Sequence, residues 1–502
     1  MSKRIVIYNK NTNELVNILN SDPFLYDEDN LYHHLLKKDL RAILGVELDK
    51  NESKTLLENK TKIIRNHSNN KYEFIISDNN LKKIVYNNEV VKNHDFVISG
   101  HITSSSGYSR LTRLFIDKCI EYKYNIKLMN HSNEEYKKCI GNVYDKYWVN
   151  IEDYYKKTNY SVVSFAPPHI QFPRKILNMT YTMLEGYSVN SSYKKVMDSA
   201  WDMFLVPTQF VKDLFCTFIK EDRVKLLPIG LNLNTFNINI EKNQDIKFKK
   251  YDSKTNKFIE TDEKPSGFRF LNVSRFSHRK GSDLLVKSYI KHFNKSHDVS
   301  LVMFALPENE VSTGFVETSI IKILNKNRKE YVPNIFLINT PWDEEKQTLP
   351  YSWGDAFVLP SRGEGFGIPP LEAASCGLPL ICSRVSGMCD YISEDTATVI
   401  EPDYFEEMGT FSDQNGYVGK CPEWRHDAFF PHLFNTKFPV MNNAKMIDDV
   451  GEKMLYVYNN NTSRDILTKK EKIFELIENK YNITENFRDI DLFLKTLFYR
   501  RV

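Results

Sequence analysis

Two carboxylates, Glu364 and Glu372, stand eight positions apart in SRGEGFGIPPLEAASCGLPL, residues 361–380, with Gly365, Phe366, Gly367 and a Pro369-Pro370 pair between them. Glycines let a backbone approach a ligand closely and take positive φ. Proline fits the first turn of a helix, where its missing N–H would have no partner. Gly377 suits the helix C-terminal cap. The pattern predicts a buried strand (AFVLP), a loop over 361–367, a short helix from Pro369, and a further strand opening at Pro379. The amides of Gly365, Phe366 and Gly367, aided by the helix dipole, would attract an anion, most simply a phosphate. Glu372 is expected in the first helical turn, its side chain leaning back towards the N-terminus. An acid beside bound phosphate is unfavourable unless it accepts hydrogen bonds, and ribose hydroxyls are the natural donors. Glu364, at the loop tip, would lie near the group attached to the phosphates. The plainer alternative is a tight turn with solvated acids, which a lone Gly-x-Gly-x-Gly would favour. Two acids around one loop shift the balance to ligand binding.

A second cluster supplies the opposite charge. In NVSRFSHRKGSDLLVKSY, Arg275 and Lys280 lie five apart, after a strand and ahead of an amphipathic helix. Arg275 as a bidentate fork and Lys280 as a point charge can neutralise a diphosphate. Arg279 competes for the same role, and composition does not separate the two arginines. Alone, this turn would read as a solvated basic surface.

The elements that position these residues form two βα series. The 502 residues exceed one ordinary core, so two or three domains are expected. Residues 1–92 read as an α+β accessory segment: KRIVIYNKNTNELVNIL suggests a hairpin, YEFIISDNNLKKIVYNNEVV suggests another, and a polar helical stretch separates them. A first Rossmann-like unit spans 93–236, with strands expected at 96–99, 126–129, 161–166, 176–182 and 203–207 and a helix at 108–121. Residues 237–265 are polar and lysine-rich, an exposed hairpin and linker. A second series runs over 266–477, with 401–440 a long loop without clear period. No internal repeat stands out.

The Arg-x4-Lys-Gly turn and the Glu-x7-Glu loop, together with WGDAFVLPSRGEGFGIPPLEAASCGLPLICSRVSGMCDYI and LLPIGLNLNTF, resemble retaining glycosyltransferases of family 4. The resemblance is strong over about 266–393, moderate over 93–236 and absent over 1–92. It implies an α/β GT-B fold: two Rossmann-like doubly wound domains facing across a cleft, with a C-terminal helix, about 478–502, crossing back to the first. It also implies transfer of a hexosyl unit from a UDP- or GDP-linked sugar to a glycan, lipid, protein or other hydroxyl acceptor, with retained configuration and neither cofactor nor metal. By position, Arg275 and Lys280 would contact the diphosphate, Glu364 and the Gly365–Gly367 backbone would lie near sugar and phosphate, and Glu372 would bind ribose. From the first domain, Gly107 and Arg110 in TSSSGYSR would approach the diphosphate. A helix N-cap at Ser105 or Ser106 explains the same segment equally well. Many relatives carry a histidine where this chain reads NMTYTMLEGYS, so Glu185 becomes the candidate for organising sugar or acceptor, against a plain surface glutamate. His169, in APPHIQFPR, is a weaker candidate for the cleft wall. Base recognition is expected around 304–307 and 338–341.

Composition narrows the rivals. Lys+Arg 68 against Asp+Glu 65 gives a net charge of +3, too near balance to point to nucleic acid, so modification of DNA bases is disfavoured. A nucleotide-sugar epimerase would need further acids in the cleft, and a non-catalytic sugar-nucleotide or glycan-binding protein would have no need of all four of Arg275, Lys280, Glu364 and Glu372. No Asp-x-Asp stands within residues 266–393, and the acids of WDEEK (342–346) read as a surface turn. The start lacks the apolar region of a signal peptide, no run would span a bilayer, and the seven scattered cysteines read as reduced thiols. These features predict a cytoplasmic protein with at most peripheral membrane contact.

Overall fold

Apolar runs of four to nine residues, each released into a loop or helix, build two parallel sheets. The computed structural model describes residues 3–8, 15–21, 61–65, 72–76, 96–103, 107–131, 143–149, 161–165, 177–189, 194, 197, 198, 200–307, 314–327, 330–342, 344–402, 404–407, 437–440 and 444–499.

In the N-terminal segment, β1 (Lys3–Tyr8) and β2 (Leu15–Ser21) form the expected antiparallel hairpin. The second hairpin differs from expectation. Strand β4 (Tyr72–Ile76) pairs with the preceding β3 (Thr61–Arg65), inside the stretch expected to be helical. Asn-rich sequence flanks β4 on both sides, so the turn signals alone do not choose its partner.

The first domain contains β5 (Phe96–Gly100), α1 (Gly107–Glu121), β6 (Ile126–Asn130), β7 (Ser161–Phe165), β8 (Leu177–Tyr181), β9 (Met203–Val206), α2 (Gln209–Cys216) and β10 (Val224–Leu226). Its sheet has the order β10-β9-β8-β7-β5-β6, parallel throughout. Strands β7 and β8 are buried at every position, as parallel strands covered on both faces must be. The strand order reverses between β5 and β7. In open α/β sheets ligands bind outside the carboxyl ends at such a switch point.

The second domain begins with the hairpin β11 (Phe248–Asp252) and β12 (Lys257–Thr261), followed by β13 (Phe268–Phe276), α3 (Ser282–His292), β14 (Val299–Pro307), α4 (Phe315–Lys326), β15 (Asn334–Ile338), β16 (Ala356–Leu359), α5 (Ile368–Ser375), β17 (Leu380–Ser383) and β18 (Thr398–Ile400). The sheet order is β12-β11-β15-β14-β13-β16-β17-β18. Strands β13 to β18 are parallel, and the hairpin within 237–265 is no detached linker: β11 joins the sheet edge antiparallel to β15, with Lys249 opposite Leu337. The switch point falls between β13 and β16, whose carboxyl ends open into the turn at 277–281 and the loop at 361–367. The region expected as a long loop is closed at its ends by an antiparallel ladder, β19 (Tyr404–Glu407) with β20 (Lys437–Val440).

Helices α6 (Ala444–Asn460) and α7 (Arg464–Lys480) lead to α8 (Ile483–Tyr499), which lies on the first domain. Tyr124 donates to Asp491 Oδ1 at 2.8 Å, Phe487 packs on Phe115 and Tyr122, and Ile483 N donates to Leu231 O at 2.9 Å. Helix α8, Ile483–Tyr499, therefore packs on the first domain after α6 and α7. Among the described residues no helix is long and apolar enough to cross a membrane.

Candidate functional site

Glu364 and Glu372 are 4% and 1% exposed, so solvated acids on a tight turn are excluded. Each carboxylate is held by named donors. Glu364 Oε1 accepts from Lys280 Nζ at 2.6 Å and from Ser361 Oγ at 3.1 Å, while Arg279 Nη1 stands 3.8 Å from Oε2. Glu372 Oε1 accepts from Arg110 Nη1 of the first domain at 2.6 Å, and Oε2 accepts from the hydroxyl of Tyr351. Burial, and then the Glu372 charge, push the Tyr351 phenol well above its ordinary range, so it stays protonated and donating.

The local chain explains these placements. Helix α5 starts one residue earlier than the prolines suggest, at Ile368, after Gly367 at φ 77°. Glu372 is consequently in the second turn rather than the first, within reach of Tyr351 behind it and Arg110 across the domain boundary. A side chain at Gly367 would also strike the Tyr391 hydroxyl, which donates to the carbonyls of Phe366 and Gly367 at 3.0 and 2.7 Å. Phe366 itself is fully buried against Tyr481. Among the described residues, the amides of Gly365, Phe366 and Gly367 donate to no protein acceptor.

On the basic side, the structure brings Lys280 and Arg279 to Glu364. Arg279 is 7% exposed, donates from Nη1 to Gly363 O at 2.7 Å, and lies 3.9 Å from Glu185 Oε1 of the first domain. Arg275 sits half-buried on β13, opposite Leu306 in the ladder with β14. Of the two arginines that composition leaves open, Arg279 is the one within 4 Å of the Glu364 carboxylate.

The first domain closes on this loop. Tyr187 accepts from Ser386 N at 2.7 Å, Ser386 Oγ donates to Glu185 O, and Thr208 Oγ1 donates to Gly365 O at 3.2 Å. Asp390 accepts from Gln209 N at 2.7 Å at the start of α2. Gly107 lies at the start of α1, where an added Cβ would touch Ile368 of α5. Glu185, Gly107 and Arg110 thus all reach the second domain. His169 and Ser104–Ser106 lie outside the described residues, as do the cysteines at 139 and 421. No group of three His, Cys, Asp or Glu among the described residues is placed to hold a metal ion.

Sequence reasoning missed Tyr351, Tyr391 and the buried Arg362. Arg362 is 1% exposed and donates to Asp283 Oδ1 at 3.0 Å and to His278 O. A tyrosine within a Pro-Tyr-Ser-Trp turn and an arginine beside a glycine both look like surface residues in isolation.

Residues 253–408 match the family described as Glycosyl transferases group 1. The chain is 45% identical over 58 residues to O-antigen chain mannosyltransferase B of Escherichia coli, a match covering 11% of this chain and 15% of that protein. It is 26% identical over 187 residues to the uncharacterized glycosyltransferase MJ1607 of Methanocaldococcus jannaschii, covering 37% and 43% respectively. The matched stretches thus span less than half the length of these relatives. Anabaena HepE, solved in complex with UDP-glucose, superposes with a TM-score of 0.53 at 9% identity, covering 80% of this chain and 99% of that one. The similarity to group 1 glycosyltransferases thus lies in the second domain, and the two facing parallel-sheet domains have the GT-B fold.

Proposed function

We propose that the chain transfers a hexosyl unit from a nucleotide-diphosphate sugar to a hydroxyl acceptor, with retained anomeric configuration and without a divalent metal. The observation that carries this reading is the pair of buried acid–base clusters at the β13/β16 switch point: Glu364 with Lys280 and Arg279, and Glu372 with Arg110 and Tyr351. Glu372 would accept the ribose hydroxyls. Each of its oxygens accepts one protein hydrogen bond and keeps a lone pair for another. Because Arg110 belongs to the first domain, parting of the domains uncovers Oε1, and the freed guanidinium can turn to the diphosphate. Lys280, Arg275 or Arg279, and the amides of Gly365 to Gly367 would stabilise the charge that develops on the leaving diphosphate. As the bond from the anomeric carbon to the phosphate oxygen breaks, the acceptor oxygen bonds to that carbon from the same face, and its proton passes to the departing phosphate. Glu185 would organise sugar or acceptor, and re-closure of the domains would exclude water. The reaction is assigned to the cytoplasm.

The family match over 253–408 and the UDP-glucose complex of the HepE neighbour support a nucleotide-sugar donor. The deciding experiment is a panel of UDP- and GDP-linked sugars, each tested for thermal stabilisation and for slow hydrolysis followed by NMR. A donor at a hundred times its Kd adds about 2.7 kcal/mol to the folded state. One donor should shift the melt and release its sugar with unchanged configuration. Absence of any shift across the panel, or an inverted product, overturns the reading.

A further inference from the structure

The buried Arg362 and its half-buried partner Asp283 touch neither carboxylate of the donor site, yet they join the two loops that carry it. Arg362 places Nη1 3.0 Å from Asp283 Oδ1 and Nη2 3.5 Å from Oδ2, and its Nη1 also donates to His278 O. Asp283 is the second residue of α3 and is held in turn by Lys287 Nζ at 3.1 Å and His278 Nδ1 at 3.5 Å. Burial alone would raise the Asp283 carboxyl, but the Arg362 charge and then the His278 contact hold it well below the usual carboxylate range.

Around this pair the loops are stitched in both directions. Arg362 N donates to Arg279 O at 2.7 Å, Ser361 Oγ lies 3.1 Å from the same carbonyl, and Arg279 Nη1 returns a bond to Gly363 O at 2.7 Å. Gly281, at φ 69°, lies so close to Pro360 O that a side chain there would clash. Lys280 sits inside the first loop, between His278 and Gly281. Glu364 sits two residues beyond Arg362 in the second.

We propose that the Arg362–Asp283 pair is the positioning device of the transfer site: it fixes the loops of Lys280 and Glu364 against helix α3, and so sets the sugar–phosphate end of the site independently of the nucleotide end at Glu372. The inference rests on the donor-site reading above. A planar guanidinium fork on a helix-borne carboxylate defines a distance and an orientation, which an ammonium at the same place does not. Displacement of reacting groups by about 1 Å can cost on the order of a hundredfold in rate.

The test compares Arg362→Lys, Asp283→Asn and the double variant Arg362→Met/Asp283→Leu with the parent chain. UDP and GDP binding, donor turnover and melting temperature are measured on each. The double variant guards against unfolding, because a buried ion pair replaced by apolar residues of similar volume is often neutral in stability, whereas a single removal is not. Expected is a 10- to 100-fold fall in kcat, with nucleotide affinity within about threefold of the parent because Glu372, Tyr351 and Arg110 are untouched. Arg362→Lys should fall between the parent and the double variant. A double variant that turns over at the parental rate overturns the proposal. So does a loss of affinity and rate together, in step with the melt. If the parent chain itself binds no nucleotide, the donor-site reading has failed and the positioning role goes with it, a result visible before any variant is made.

Discussion

The bond between Arg110 and Glu372 joins the two domains through one buried carboxylate, so its loss should be felt in stability before any substrate is added. In Glu372→Ala, the fully buried Tyr351 hydroxyl loses its acceptor and Arg110, whose side chain is 18% exposed, loses its bond to this carboxylate. An unsatisfied buried donor costs about 1–3 kcal/mol. Breaking a buried ion pair costs about 3–5 kcal/mol. Arg110 can turn partly to water, which puts the expected loss near the lower bound, about 3 kcal/mol. For a domain of some 200 residues this lowers the melt by about 6–12 °C. Glu372→Gln keeps the shape and one acceptor oxygen, and should lose about half as much. The assay is a thermal melt of the parent, Glu372→Ala, Arg110→Ala and the double variant. This closes a cycle whose coupling energy should be about 1–3 kcal/mol. A coupling of zero, or an alanine variant melting within 2 °C of the parent, would refute the clasp. In nucleotide-saturated samples, Glu372→Ala should also lose the ligand-induced shift, whereas a merely structural glutamate would keep it.

Gly365→Ala should open the cleft. Its Cβ would stand 2.6 Å from Met183 Cβ of the first domain, an atom too close to the backbone to yield, and overpacking of this kind costs about 1–3 kcal/mol. Small-angle scattering should show a larger radius of gyration and the melt should fall; unchanged values for both would mean that the domains do not meet here in solution. His131, at the carboxyl end of β6, has its pKa lowered to about 4 by burial and then by neighbouring His101. A depressed histidine contributes stability above its unfolded value near 6.5, and that stability is lost as pH falls to about 4, by at most about 3 kcal/mol. His131→Asn should flatten the melting profile between pH 6.5 and 4, and an unaltered profile would assign the acid sensitivity elsewhere.

Why the strands were legible and the charge pairs were not follows from where each is encoded. A parallel strand covered on both faces must be apolar throughout, and glycine or proline must stop it, so SVVSF, LNMTY and AFVL could be placed to within a residue or two. The loop at 361–367 was readable for the same reason, because its glycines and the prolines behind it are local. Local spacing still misplaced Glu372 by a turn, since the helix begins on Ile368 once Gly367 takes its left-handed conformation. Side-chain partnership is another matter. Arg275, near the end of β13, and Arg279, in the turn after it, carry the same charge, and Arg279 is drawn into the site by the carbonyl of Gly363, 84 residues further along. Arg362 likewise becomes a buried ion only because Asp283, 79 residues earlier, is delivered by the neighbouring strand and its helix. These meetings depend on β13 and β16 being adjacent, a property of sheet order that no short motif contains. A motif therefore marks where a charged ligand can sit, while the topology decides which of its charges face that ligand and which hold the frame.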